Sequence, residues 1–473
     1  MKIIFFFYLI LSTLSVIGFG FFLNNFLNLK NESSNLGLIG IFGLFLLSLI
    51  SSFTHLFLSH SYTHNIIVLL VGICLFIFFI QKKKFDLKFI FTCFILLLSG
   101  FLIAKNNEDF PYYHLPNSLQ FVEQKIQFGL GNLNHGFKHS SSIFLLNSIF
   151  YFPKTIYYLF NIPNFLFLVF SVYYFLSKIF EKKTKFINFS KIFCIFSGLI
   201  LLTKFSRLAE YGTDIAGQIL ILIVILIASN MLIKKDISFE NEKNEYLTIL
   251  ILIVFSISMK VYFMIYLVIP TYIFFKVRAK KKILRLIFDY KNFLILTTPI
   301  FFVIFFNFSA TGCLVYPVSL TCFPDIFDWS LSINTVETLN SHYELWAKAG
   351  RGPNFEVDNT KSQADKDPGL HHFQLAHGNF EELFLRYDYL KARGIMPVQK
   401  WNHGVMTSFY YEDPDGNQAE MTCMNFLKEE DFRAYFETDT YKNNISGIPI
   451  DPDEYISRYR AGIPQEELVK IPS

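Results

Sequence analysis

The chain has 473 residues, of which 52% are hydrophobic and 18% aromatic, with 59 phenylalanines. A water-soluble protein of this length needs far less apolar surface to fill its core, so the composition argues against an ordinary soluble enzyme and for a membrane protein. The formal charge of +4 averages lysine clusters beside apolar spans with a polar segment from 333 onward, and it gives no reason to expect a nucleic-acid partner.

Apolar runs near the bilayer-spanning length of about 20 residues lie at 3–23, 36–53, 65–81, 88–104, 155–178, 189–204, 215–233, 247–275 and 290–307. A helix or half-helix at 141–152 joins them. The first run lacks a small-residue cleavage site and reads as a retained helix. The 247–275 run can be one tilted helix or two short ones. The expected architecture over residues 1–332 is therefore a polytopic α-helical membrane domain of about nine or ten helices. The basic stretches "QKKKFDLK" (81–88), "KIFEKKTK" (178–185), Lys234–Lys235 and "KVRAKKKILR" (276–285) are expected on the cytoplasmic side. Segments 105–140, 205–214 and 308–332 then face outward.

Cys74, Cys93 and Cys194 fall inside apolar runs and read as small core residues. Cys313 and Cys322, in "TGCLVYPVSLTCFPD", flank a polar turn on the outward side. That compartment permits a disulfide, and two free thiols are the alternative.

The outward segment "KNNEDFPYYHLPNSLQFVEQKIQFGLGNLNHGFKHSSSIF" gathers acids, aromatics and histidines directly after a span. It is longer than a connector requires. For each residue taken singly, a solvated loop is the plainer reading. In company the residues say more, because "SRLAEYGTDIAGQ" puts Glu210 and Asp214 at the mouth of another span and Lys260 lies within "FSISMKVYFMIY". An ionisable group in a bilayer is costly and faces a polar cavity, unless it snorkels or marks a hairpin between two short helices.

The stretches "EDFPYYHLPNSLQF", "YGTDIAGQ" and "GCLVYPVSLTCF" resemble an uncharacterised bacterial branch of the GT-C class of polytopic membrane glycosyltransferases. The resemblance covers roughly residues 1–358 and implies a multi-pass protein of the bacterial inner membrane with a lipid-phosphate-linked sugar donor. It makes Asp109 the candidate base or ligand of a divalent cation, with Glu108 as substitute. His114 would contact phosphate, Asp214 would be a second polar site, and Lys260 would offset the departing phosphate charge. A transporter, a flippase or a structural membrane protein are the alternatives, although the internal repeat common in transporters is not evident.

Residues 333–368 read as an external segment and junction, and from 369 the pattern changes. "GLHHFQLAHG" alternates as a strand. "NFEELFLRYDYLKARGI" has amphipathic helical spacing, with Asn379 as N-cap and Gly394 at its end. "MPVQKWNHG" and "VMTSFYYEDP" are strands, "DG" is a turn, and "NQAEMTCM" is a closing strand. This α+β order, βαβββ over 369–425 with an extension at 426–473, predicts an open sheet backed by one helix.

The quoted stretches, with "IDPDEYISRYRAGIPQEEL", resemble the vicinal oxygen chelate superfamily. They are most similar to its extradiol, biphenyl-2,3-diol dioxygenase-like branch. The resemblance implies that His372 and Glu420, 48 residues later, ligate Fe(II) or another divalent metal. It also implies that His403 and Tyr410 contact substrate, although the interval from His403 to Glu420 is shorter than in the catechol enzymes. Three ligands of the two-histidine, one-carboxylate type suit a diol and dioxygen. In that family the third comes from a first module, and no βαβββ pattern precedes Gly369. A second module from another chain, a degenerate module, or a recent or accidental fusion of two reading frames would each account for this, and fusion is the expectation here.

Overall fold

The computed structural model describes residues 2–29, 35–81, 87–102, 110–133, 135–153, 161–180, 189–204, 213–233, 239–276, 280–348, 372–412, 418–444 and 446–471. The chain divides between Val336 and Glu337 into two units.

The first unit is helical: α1 (Lys2–Phe26), α2 (Leu36–His55), α3 (Tyr62–Ile80), α4 (Leu87–Leu102), α5 (Leu115–Glu123), α6 (Ser142–Ile149), α7 (Ile162–Ile179), α8 (Phe189–Lys204), α9 (Asp214–Ile233), α10 (Phe239–Met259), α11 (Val268–Lys276), α12 (Lys280–Ile287) and α13 (Tyr290–Thr311), while α14 (Ile333–Lys348) runs across the division. Six stretches, Ile4–Phe26, Leu36–His55, Tyr62–Ile80, Ile162–Ile179, Asp214–Ile233 and Tyr290–Thr311, are long and apolar enough to cross a membrane. Leu87–Leu102, Phe189–Thr203 and Val261–Lys276 are apolar but shorter.

A helix that is apolar on all sides belongs in a core, and α2 and α7 follow that rule. Phe42, Phe45, Phe167 and Phe170 are fully buried. Phe45 meets Phe255 of α10 edge-on at 5.2 Å. Such aromatic pairs add a directional term to plain burial. Asn35 starts α2 by accepting from the backbone N–H groups of Gly37 and Leu38, which removes two of the four orphan donors of a helix start.

The 247–275 run is two pieces. Helix α10 stops at Met259, and Lys260 adopts an extended backbone (φ −154°, ψ 124°). A 3-10 segment, Val261–Leu267, then leads into α11. The hydroxyl of Tyr246 in α10 donates to the Pro270 carbonyl of α11 at 3.2 Å. The chain therefore turns back on itself at Lys260, the hairpin alternative of the sequence reading. The 155–178 run becomes helical from Ile162, with 154–160 outside the described residues. Within 105–140, the described residues open on a π-helical turn, Phe110–His114, that runs directly into α5. Cys313 and Cys322 form a disulfide, which decides between the two alternatives left open for that pair.

The second unit carries strands β1 (His372–His377), β2 (Gln399–Asn402), β3 (Met406–Glu412), β4 (Gln418–Met424) and β5 (Ile448–Pro449), with α15 (Phe380–Lys391) between β1 and β2. Four short helices follow β4: α16 (Glu429–Tyr435), α17 (Asp439–Asn443), α18 (Pro452–Arg460) and α19 (Gln465–Leu468). The sheet order is β1-β4-β3-β2-β5. Strand β1 runs parallel to β4, and the β4–β3, β3–β2 and β2–β5 pairs are antiparallel. This is the mixed βαβββ sheet expected from the alternation, with β5 added at one edge.

Side chains alternate across a sheet, and here the alternation separates two chemistries. Phe409, Tyr411 and Cys423 face a core shared with Phe380, Leu383, Phe384 and Tyr387 of α15 and with Tyr455 and Ile456 of α18. The opposite face carries Ser408, Tyr410, Gln418, Glu420 and Thr422. Edge strand β1 is covered less: Phe373 and Leu375 are each 46% exposed.

Candidate functional site

The polar face of the second unit is built from strand register. Tyr410 of β3 lies opposite Glu420 of β4, and Glu420 lies opposite Gln374 of β1. Position 372 precedes Gln374 by two residues, so strand periodicity assigns it to the same face. The Glu420 side chain is buried, at 4% exposed. Tyr410 Oη donates to Glu420 Oε1 at 3.0 Å, and His403 Nε2 lies 3.1 Å from the same Tyr410 oxygen. His403 Nδ1 donates to the Ser446 carbonyl oxygen at 2.7 Å. Burial and, after it, the neighbouring Glu420 carboxylate push the Tyr410 phenol above its ordinary range.

Proton accounting along this chain is informative. The Ser446 carbonyl can only accept, so His403 Nδ1 carries a hydrogen. Tyr410 has one hydrogen, which it can donate to Glu420 Oε1 or to the bare Nε2 of a neutral His403, but not to both. The three groups form a hydrogen-bonded relay.

The loop holding His403 is fixed by amides. Asn402 Oδ1 accepts from Gly404 N at 2.9 Å and from Asn425 Nδ2 at 2.8 Å. Gly404 has φ +82°, and a Cβ there would come within 2.0 Å of the Tyr435 hydroxyl oxygen. Only glycine satisfies both conditions. The indole of Trp401 lies parallel to the His403 ring, with centroids 6.0 Å apart. Ser446 and Asn425 escaped the sequence reading because each lies far along the chain from the "NHG" loop it supports.

A carboxylate and an imidazole position on adjacent strands suit a divalent cation. The described residues hold no group of three or more His, Cys, Asp or Glu side chains able to close around a metal.

In the first unit, Lys260 Nζ donates to Asp214 Oδ1 at 2.7 Å, with both side chains partly exposed. Asp214 is the first residue of α9, where a negative charge complements the helix dipole. Lys260 stands at the break after α10. Two residues that the sequence placed on separate spans are thereby joined. His114 ends the π-helical turn and is buried against Phe144, with ring centroids 5.3 Å apart. Neither of its ring nitrogens has a hydrogen-bond partner among the described residues. Burial pushes its imidazole down to about 4, with Asp214 opposing the shift and Lys260 adding to it. His114 is thus near both members of the ion pair. Asp109, Glu108 and Glu210 lie outside the described residues.

A histidine cluster went unremarked in the sequence, although "HLFLSHSYTH" spells it out. His60 and His64 stack with centroids 4.9 Å apart, and His55 meets His60 edge-on at 5.4 Å. His60 is anchored to Ser148 Oγ at 2.5 Å and to the Ser51 carbonyl at 3.1 Å. Its backbone N–H donates to the Phe121 carbonyl at 2.8 Å, which ties the α2–α3 loop to α5.

Comparison with known proteins divides the chain in a similar way. Residues 319–421 match the Glyoxalase/Bleomycin resistance protein/Dioxygenase superfamily. Biphenyl-2,3-diol 1,2-dioxygenase 2 of Rhodococcus globerulus is 36% identical over 100 residues, covering 21% of this chain and 53% of its own. Biphenyl-2,3-diol 1,2-dioxygenase 3 of the same organism is 35% identical over 100 residues, with the same 21% and 53% coverage. The chain spans about half the length of these curated relatives. No solved structure matches it. The second unit therefore carries a glyoxalase/dioxygenase-type module. Residues 1–364, the larger part of the sequence, match the family described as Domain of unknown function (DUF8201), and the chain belongs to that family.

Proposed function

We propose that the second unit is one half of an extradiol-type metal site, in which His372 and Glu420 hold Fe(II) or another divalent metal. The third ligand would come from a second module of the same kind on another chain. The observation that carries this reading is the His403–Tyr410–Glu420 relay on the sheet face that also includes position 372. When bound there, Fe(II) supplies open coordination positions and electron transfer toward dioxygen. The chain's own residues do the rest. Glu420 brings the anionic charge, and Tyr410 orients its carboxylate by donating to one oxygen. His403, held by Ser446, gives or takes a proton at Nε2. Metal analysis of the full chain in detergent tests this. About one Fe(II) or Mn(II) per chain is expected, with affinity falling more than about ten-fold in His372→Ala and Glu420→Ala. A wild-type chain that retains no stoichiometric metal would remove the reading.

For the first unit we infer sugar transfer from a lipid-phosphate donor, at the outward face of a multi-pass protein with about nine or ten spans in a bacterial inner membrane. The convergence of Asp214, Lys260 and buried His114 supports it. In this reading Asp109 takes the proton of the acceptor hydroxyl as its oxygen attacks the anomeric carbon. The lipid phosphate then departs toward Lys260 or a divalent cation. Membranes carrying Asp109→Ala or Asp214→Ala should lose sugar transfer by about 100-fold or more. Undiminished transfer in Asp109→Ala would eliminate that residue as base. A transporter is the reading that total inactivity toward sugar donors would leave. The two units are best accounted for as a recent or accidental fusion, since the dioxygenase-like relatives are matched over only about half their length.

A further inference from the structure

Helices α1 and α4 pack antiparallel, with Phe5 against Phe101 at 6.4 Å and Phe6 against Phe94 at 6.5 Å. On its other side α1 presses against α3, where a Cβ on Gly18 would sit 1.9 Å from the Gly72 carbonyl oxygen. The pairs Gly18–Gly72 and Phe21–Phe76 make α1 and α3 parallel. The lower ends of both helices therefore share the side of the 81–88 lysine run.

Between α1 and α4 lies a cleft of about 320 Å³. Ile10, Leu14 and Ile17 form one wall, and Phe91 and Phe94 the other. Its polar lining residues are Thr13 and Lys88. Thr13 is satisfied within its own helix, since Oγ1 donates to the Leu9 carbonyl at 2.8 Å. Lys88 is the second residue of α4, is exposed, and has no carboxylate partner among the described residues. An ammonium at the mouth of an apolar slot is well placed to meet an anion.

We propose that this cleft holds an acyl chain of an anionic phospholipid from the cytoplasmic leaflet, with its phosphate on Lys88. The charge selects the occupant: an apolar slot with one cationic end fits an amphiphile with an anionic head. The length agrees, because the wall from Ile10 to Ile17 rises about 10 Å, enough for part of one chain. The proposal rests on the first unit lying in a bilayer.

The test is photolabelling of the full chain in nanodiscs, using a diazirine-tailed phosphatidylglycerol or a phosphatidylcholine with the same tail. Phosphatidylglycerol should label the Ile10–Ile17 and Leu87–Phe94 peptides about five-fold more than phosphatidylcholine. Lys88→Gln should abolish that preference, and Lys88→Arg should keep it. Leu14→Trp, which fills the slot, should lower labelling by both lipids while leaving the thermal midpoint in place. Equal labelling of the wild type by both lipids would overturn the proposal, as would a preference that survives Lys88→Gln. Displacement of the label by equimolar polyprenyl phosphate would also overturn it, by identifying a carrier lipid as occupant. Absence of labelling by either lipid anywhere in the first unit would instead sink the membrane reading beneath it.

Discussion

At the residue scale, Glu420 is a buried carboxylate that accepts from the Tyr410 phenol. Tyr410→Phe removes that hydroxyl and preserves the ring's packing. Groups that orient metal ligands typically change affinity by about 10–100-fold, so Mn(II) titration of Tyr410→Phe should show a loss in that range with near-native circular dichroism. His114 makes a second prediction. Its imidazole is pushed down to about 4, so between the ordinary histidine value of about 6.5 and 4 the unfolded chain binds a proton that the folded chain does not. Stability therefore rises with pH across that window and is lost as pH falls through it. The thermal midpoint of the solubilised chain should drop from pH 7 to pH 4, and His114→Asn should make the drop shallower. An identical drop in the variant would mean that burial of His114 has no part in it.

Helix α15 shows at the element scale how much the sequence spelled out. Phe380, Leu383, Phe384 and Tyr387 recur at helical spacing, and all four are buried. Asn379 Oδ1 accepts from Glu382 N at 2.9 Å, and Glu382 Oε2 accepts from Gly378 N at 2.9 Å. These reciprocal caps are local, so five consecutive residues, Gly378 to Glu382, disclose them. Phe384→Ala should destabilise the second unit by about 3–5 kcal/mol, read as lost hydrogen-exchange protection in β3 and β4. Strand alternation disclosed β3 and β4 for the same reason, while Glu420 and Tyr410 were singled out on them by the resemblance. The break after α10 was harder to read, because the apolar run continues through Lys260 without proline or glycine. What ends the helix includes a distant contact: Ser141 Oγ donates to the Met259 carbonyl at 2.7 Å, a group the continuing helix would have used. The pairing of Lys260 with Asp214 is equally long-range, and no local pattern encodes it. The Ser446 carbonyl that holds His403 lies in a stretch with no periodicity to mark it.

Over the described residues of the whole molecule, the two larger hydrophobic cores are separate in sequence and in composition, with a small third cluster of Cys313, Leu331 and Val336 between them in sequence. One is a Phe-, Leu- and Ile-rich cluster from Phe5 to Leu296. The other is the aromatic cluster from Phe380 to Val469 beneath the mixed sheet. The class of each unit was legible because hydropathy and strand periodicity are properties of long windows. The number of crossing helices was less so. Length and apolarity alone support six stretches, while the remaining apolar runs are short or, as in α10, begin with charged residues. The proposed metal site was legible only as far as its candidate ligands are local to one module.

Strand β1 carries a consequence of another kind. Phe373 and Leu375 are half-exposed on a strand whose pairing partner among the described strands is β4 alone. An apolar sheet margin of this sort is a template for adding strands from neighbouring molecules. The strand that carries position 372 is therefore a point of self-association, and crowding during synthesis would favour aggregates nucleated at β1 unless a companion module caps it.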